Sequence, residues 1–157
     1  YRVNLTYRDA RISPHYIFIP QIENNVTKID RGPAKGIWTH KNNKIQYDSI
    51  YSAIKNIKSD RDDYLMVLKL CPWAYLINDS LKPFSMTAWR VSDNDLRLKP
   101  YFEEFQHKFP EHILVLNKNI RDNENNEIED DSYLITELKK QNYESKEIDC
   151  GTLWEKR

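Results

Sequence analysis

Only three glycines stand in 157 residues, and that scarcity is the first constraint. A many-turned propeller or a glycine-rich nucleotide fold uses glycine where the chain turns tightly or its backbone approaches a phosphate, so the scarcity argues against both. Cysteine is nearly as scarce. Cys71 and Cys150 lie far apart and show no metal-ligand spacing, so two free thiols in a reducing compartment are expected rather than a disulfide framework. Charge of either sign is missing in bulk. Twenty-four lysines and arginines meet 24 acidic residues, which announces no nucleic-acid binder and leaves room only for a local basic groove. No run approaches the roughly 18 apolar residues of a membrane span, and no signal peptide is visible. A cytoplasmic protein without a membrane partner is therefore expected. A chain that starts at Tyr1 rather than methionine is expected to be a domain or a trimmed piece of something longer.

What is present is apolar and aromatic material for one core. The chain is 39% hydrophobic, 12% aromatic and 31% charged, too apolar for disorder and the length of one domain, 1–157. Tyr1-Arg2-Val3-Asn4-Leu5 alternates like a first strand, and Tyr16-Ile17-Phe18-Ile19 is a short strand between Pro14 and Pro20, which favour an edge. Glu23 to Pro33 reads as a loop. Gly36-Ile37-Trp38-Thr39 reads as a short buried strand whose glycine permits close approach of a ligand. After a polar break at Lys41 to Lys44, Ile50, Ile54 and Ile57 share one face of a helix that also carries Tyr47 and Tyr51. A strand bearing an aromatic and a hydroxyl, backed by tyrosines on a helix, would make a ligand platform.

Tyr64 to Leu70 is nearly continuously apolar, the pattern of a strand covered on both faces, and Pro72 ends it. Trp73 to Ile77 is a second apolar run, Asn78-Asp79-Ser80 a turn, and Phe84 to Trp89 a further strand. Phe102, Phe105 and Phe109 fall at helical spacing and are expected in the core. Glu111 to Leu116 is a strand opened by a carboxylate. Residues 117–131 are acidic and asparagine-rich, a flexible loop. Ser132 caps a helix running through Leu134 and Leu138 to Lys140, and Tyr143 to Cys150 is a last strand. Short strands with few helices, and no regular alternation of the two, predict an α+β domain. Four scattered histidines (His15, His40, His107, His112) include no pair at the spacing of metal ligands, so no metal site is expected. Glu144-Ser145-Lys146 has the Glu-x-Lys form of metal-dependent nucleases, with Asp130 or Asp131 upstream, and keeps a nuclease as an alternative. A non-enzymatic interaction domain using its tyrosines and tryptophans is another.

The order of four motifs resembles the ADP-ribosyltransferase superfamily, which includes the catalytic domains of poly(ADP-ribose) polymerases and diphtheria-type toxins. The motifs are Ala34-Lys35-Gly36-Ile37-Trp38-Thr39, the helix bearing tyrosine and serine, the strand from Tyr64, and Pro110-Glu111-His112-Ile113-Leu114-Val115. The likeness covers Arg2 to Leu116. It implies a strand-rich split-sheet fold, with a cleft between two small sheets, that moves ADP-ribose from NAD to a macromolecular acceptor, protein or nucleic acid. Toxin or effector biology comes with it, including delivery into a host cytosol and an inhibitor or antitoxin partner. Glu111 takes the position of the catalytic glutamate, and Arg2 that of the arginine on the first strand. Gly36, Trp38 and Thr39 take the cofactor strand, and Tyr51 or Tyr47 the stack on nicotinamide. The chain also departs from the pattern. Trp38-Thr39-His40 stands where the arginine-led branch has Ser-Thr-Ser, and Phe109 stands two before Glu111 where that branch has Glu or Gln. The second departure argues against arginine as acceptor.

Overall fold

Tyr64–Leu68 and His112–Leu116 contain almost nothing polar, and such runs make strands covered on both sides. The computed structural model describes residues 26–60, 62–68, 71–84, 98–105, 109–117 and 132–157. The chain divides into two compact units, residues 1–47 and 48–157. The strands expected at Tyr1 to Leu5 and Tyr16 to Ile19, Arg2 among them, lie outside the described residues, as do Phe84-to-Trp89 beyond Phe84 and the loop beyond Asn117.

In the first unit, β1 (Val26–Lys28) and β2 (Trp38–His40) form an antiparallel two-stranded sheet; α1 (Lys41–Lys55) follows at once, with residues 41–47 in the first unit and 48–55 in the second. Three expectations are corrected here. Val26–Lys28 is a strand, not part of a loop. The polar residues Lys41 to Lys44 are the first turn of the helix, not a break before it. The segment from Gly36 to Thr39 is not buried, because among the described residues β2 pairs only with β1 and Trp38 and His40 face outward.

The second unit holds a five-stranded mixed sheet in the order β4-β3-β5-β7-β6. Here β3 is Tyr64–Leu68, β4 Lys82–Pro83, β5 His112–Leu116, β6 Tyr143–Ile148 and β7 Gly151–Lys156. β3 runs parallel to both β4 and β5, while β7 is antiparallel to β5 and β6. The strand expected over Tyr143 to Cys150 is β6, and it is not the last: after a turn at Asp149-Cys150, β7 pairs back on it as a hairpin. Alternation decides the faces. Met66, Leu68, Ile113, Val115 and Trp154 join one apolar cluster with Phe102 of α2 (Lys99–Phe105), Phe109, and Leu134, Ile135 and Leu138 of α3 (Tyr133–Lys140). Leu65, Val67, Leu114, Leu116 and Leu153 join the other cluster, with Ile50, Ile54 and Ile57 and with Ala74 of a 3-10 helix at Pro72–Leu76. Phe102 and Phe109 stack with ring centroids 3.9 Å apart. Ser132 caps α3 by accepting from the Ile135 N–H. The chain is α+β, as its pattern of strands and helices predicts. No helix among the described residues is long and apolar enough to cross a membrane.

Two backbone details hold the sheet. Among the described residues β4 is two residues long, and farther along that side of β3 the Val67 N–H donates to the Tyr75 hydroxyl at 2.9 Å. Gly151 opens β7 against the Val115 carbonyl of β5, where an added Cβ would sit 1.9 Å from that oxygen.

Candidate functional site

Among the described residues, polar chemistry gathers in two places, one in each unit. In the first, Lys28 stands across from Trp38 in the β1–β2 register, and His40 follows Trp38 on the same face. Trp38 is 66% exposed and its neighbour Ile37 57%. In the connection between the strands, Gly36 has φ +96°, a left-handed conformation that favours glycine, and the Lys28 side chain passes above it. The Gly36 N–H donates to the Ile29 carbonyl, and the Ile29 N–H to the Ile37 carbonyl, so the turn is braced from within. Tyr47 on α1 closes it. Its buried hydroxyl accepts from the Ala34 N–H and donates to the Arg31 carbonyl at 2.9 Å. Thr39 lies on the opposite side of β2 from Trp38 and accepts a hydrogen bond from the Asn43 amide.

Of the residues expected to form a cofactor strand, Gly36 and Trp38 thus belong to one exposed hairpin. Thr39 and Tyr47 secure that hairpin to the first turns of α1. Tyr51 belongs to the second unit, half-buried against the cluster that holds Ile50 and Ile54. Residues 26–47 also carry five cationic side chains (Lys28, Arg31, Lys35, Lys41 and Lys44) against one acid, Asp30, which pairs with Lys44 at 3.4 Å. The chain is neutral overall, so its remainder is net acidic. Counting charge over a short window, rather than over the whole chain, would have found this.

The second place is the edge of the five-stranded sheet where β3 and β5 begin and β7 ends. Pairing starts at Leu65 with His112, which leaves the Tyr64 N–H outside the ladder. One carboxylate oxygen of Glu111 accepts it at 2.9 Å. His112 is buried. Its Nε2 is 3.3 Å from an Asp63 carboxylate oxygen, itself held by the Asp60 N–H. Its Nδ1 is 3.3 Å from a Glu155 oxygen, near enough for an ion pair but not aligned as a hydrogen bond. Lys82 pairs with Asp62 at 2.5 Å, and that hydrogen bond raises its pKa. The Tyr143 hydroxyl donates to the Pro110 carbonyl at 2.6 Å; burial, then the Glu111 charge, push its pKa up.

At this end of the sheet the imidazole is covered. Its clear work is to tie the ends of three strands together. Sequence reasoning found Glu111 and missed the Asp63–His112–Glu155 contact, because those residues are remote along the chain. No group of three or more His, Cys, Asp or Glu among the described residues is arranged to hold a metal ion. In the Glu-x-Lys segment, Glu144 forms an ion pair with Arg157, and Glu144 and Lys146 are both exposed on β6. Asp130 and Asp131 lie outside the described residues. Comparison with protein families, with curated proteins and with solved structures found no match.

Proposed function

We propose that this chain is a binding module whose docking surface is the β1–β2 hairpin, and that its partner is polyanionic. One observation carries the reading: an outward-facing tryptophan, flanked by Lys28 and His40, sits in a segment with five cations and one acid inside an otherwise net acidic chain. Exposed tryptophan is costly to keep in water and is enriched where surfaces meet. Clustered lysines supply attraction over a Debye length, about 10 Å at moderate salt. Retention on a heparin column tests the reading. A protein of pI about 7.1 has no net charge to hold it there at neutral pH, so retention requires a local cluster. Lys28→Gln combined with Lys35→Gln is expected to elute at lower salt. Flow-through of the unaltered chain would reject the reading.

A second reading, ADP-ribosyl transfer from NAD within a split-sheet fold, rests on the motif order and on the position of Glu111 at the mouth of buried β5. In it, Glu111 stabilises the oxocarbenium-like charge as nicotinamide departs, and Arg2 orients the cofactor. Gly36, Trp38 and Thr39 keep the cofactor-strand roles that the resemblance implies. Tyr51 carries the nicotinamide stack, since the Tyr47 ring is buried and its hydroxyl engaged. The acceptor is a macromolecule and not an arginine side chain. Under this reading Glu111→Gln lowers NAD turnover by roughly 100-fold or more while NAD binding changes little. A folded chain that neither binds nor consumes NAD would exclude it.

A further inference from the structure

The following rests on the binding-module reading and names the partner. We propose that the β1–β2 hairpin docks on the surface of an anionic lipid bilayer, with Trp38 seated at the level of the headgroups. The side chains choose between polyanions. A single-stranded nucleic acid is held by successive planar groups on which bases stack. Within residues 26–47 the aromatic residues other than histidine are Trp38 and Tyr47, and Tyr47 is buried. The other large exposed apolar side chains in the segment are aliphatic, Ile37 and Ile45, which offer a base no ring face. Hydrocarbon at a bilayer boundary accepts them without any such requirement.

Tryptophan is the residue enriched at that boundary, its ring in the apolar layer and its N–H toward water. Lys28 beside it, Lys35 in the turn and Lys41 on the first turn of α1 are exposed, and lysine stems lie along apolar surface while their ammonium groups reach phosphate or carboxylate. Ile45 lies four residues beyond Lys41 and so shares its face of α1. The contact is peripheral and requires no spanning segment. It therefore departs from the expectation of no membrane partner, which weighed only long apolar runs.

Flotation of the whole chain with lipid vesicles tests the proposal. The chain is expected to float with phosphatidylcholine vesicles containing phosphatidylserine, not with phosphatidylcholine alone, and to be released by high salt. Each lysine near such a surface is worth about five-fold in partition, so Lys28→Gln with Lys35→Gln should lower it roughly 25-fold. Trp38→Ala should lower it further at unchanged charge. Both variants alter exposed side chains, and circular dichroism with a melting curve checks that they fold. Failure to float with anionic vesicles overturns the lipid assignment. If the chain is then still held on heparin, the binding-module reading survives with another polyanion; if it flows through, both fall. Undiminished flotation of the double lysine variant would overturn the hairpin as the contact.

Discussion

Gly151 and Gly36 both have positive φ, yet they answer to different constraints. At Gly151 the backbone of β5 fills the space a side chain would need, so Gly151→Ala must push β7 away from β5. We expect it to cost more than about 3 kcal/mol, visible as a large drop in the urea midpoint or as failure to fold. At Gly36 space is open and only the left-handed conformation is at stake, so Gly36→Ala should cost about 1–2 kcal/mol and act on the hairpin alone. Glu111 gives a second contrast. Gln at this position keeps an oxygen for the Tyr64 N–H, so Glu111→Gln should leave the denaturation midpoint nearly unchanged. Glu111→Ala strips the acceptor from a strand end and should cost about 1 kcal/mol. Equal losses in the two variants would mean that charge, not hydrogen bonding, is what Glu111 supplies.

Among the elements, those with a strong local signal were legible in the sequence. The apolar runs of β3 and β5 are buried strands, Ile50 and Ile54 are the buried face of α1 with Ile57 buried just beyond its end, and Ser132 caps α3 as its position predicts. The β1–β2 hairpin was not legible as a pair, because a three-residue strand has too few alternations to declare itself. The 3-10 helix hides another tertiary fact: Tyr75 completes the edge of β3. Tyr75→Phe keeps the ring but removes the acceptor for the Val67 N–H. We expect a loss of about 1–3 kcal/mol and faster hydrogen exchange at Val67, the latter distinguishing this bond from simple loss of packing.

For the second unit as a whole, the buried acids set an alkaline limit. Burial pushes the Cys71 thiol from 9.0 to about 12 and the Tyr75 phenol from 10.0 to about 12, and raises Cys150 and Tyr143 as well. Each is a group that the folded state keeps protonated at a pH where the unfolded chain has released the proton. The unfolded state then binds fewer protons, so stability falls as pH rises. The contribution is full below about pH 9 and is lost progressively toward about 12. Urea midpoints measured at rising pH should therefore decline from about pH 9. Replacing both Cys71 and Cys150 with alanine should move the onset toward the tyrosine range. A midpoint flat across this interval would mean that these groups titrate alike in both states.

The sequence by itself determined the α+β class, the buried strands, the capped helix and the lack of a membrane-spanning run among the elements it marked, since each follows from periodicity or from a cap within a few residues. The tertiary structure alone decided that Trp38 faces outward beside Lys28, and that Glu111 serves the start of β3. It likewise decided that His112 meets Asp63 and Glu155. The physical reason is common to all three. A local pattern says that a side chain has a covered or an open face, but the pairing of one strand with another chooses which neighbour occupies it.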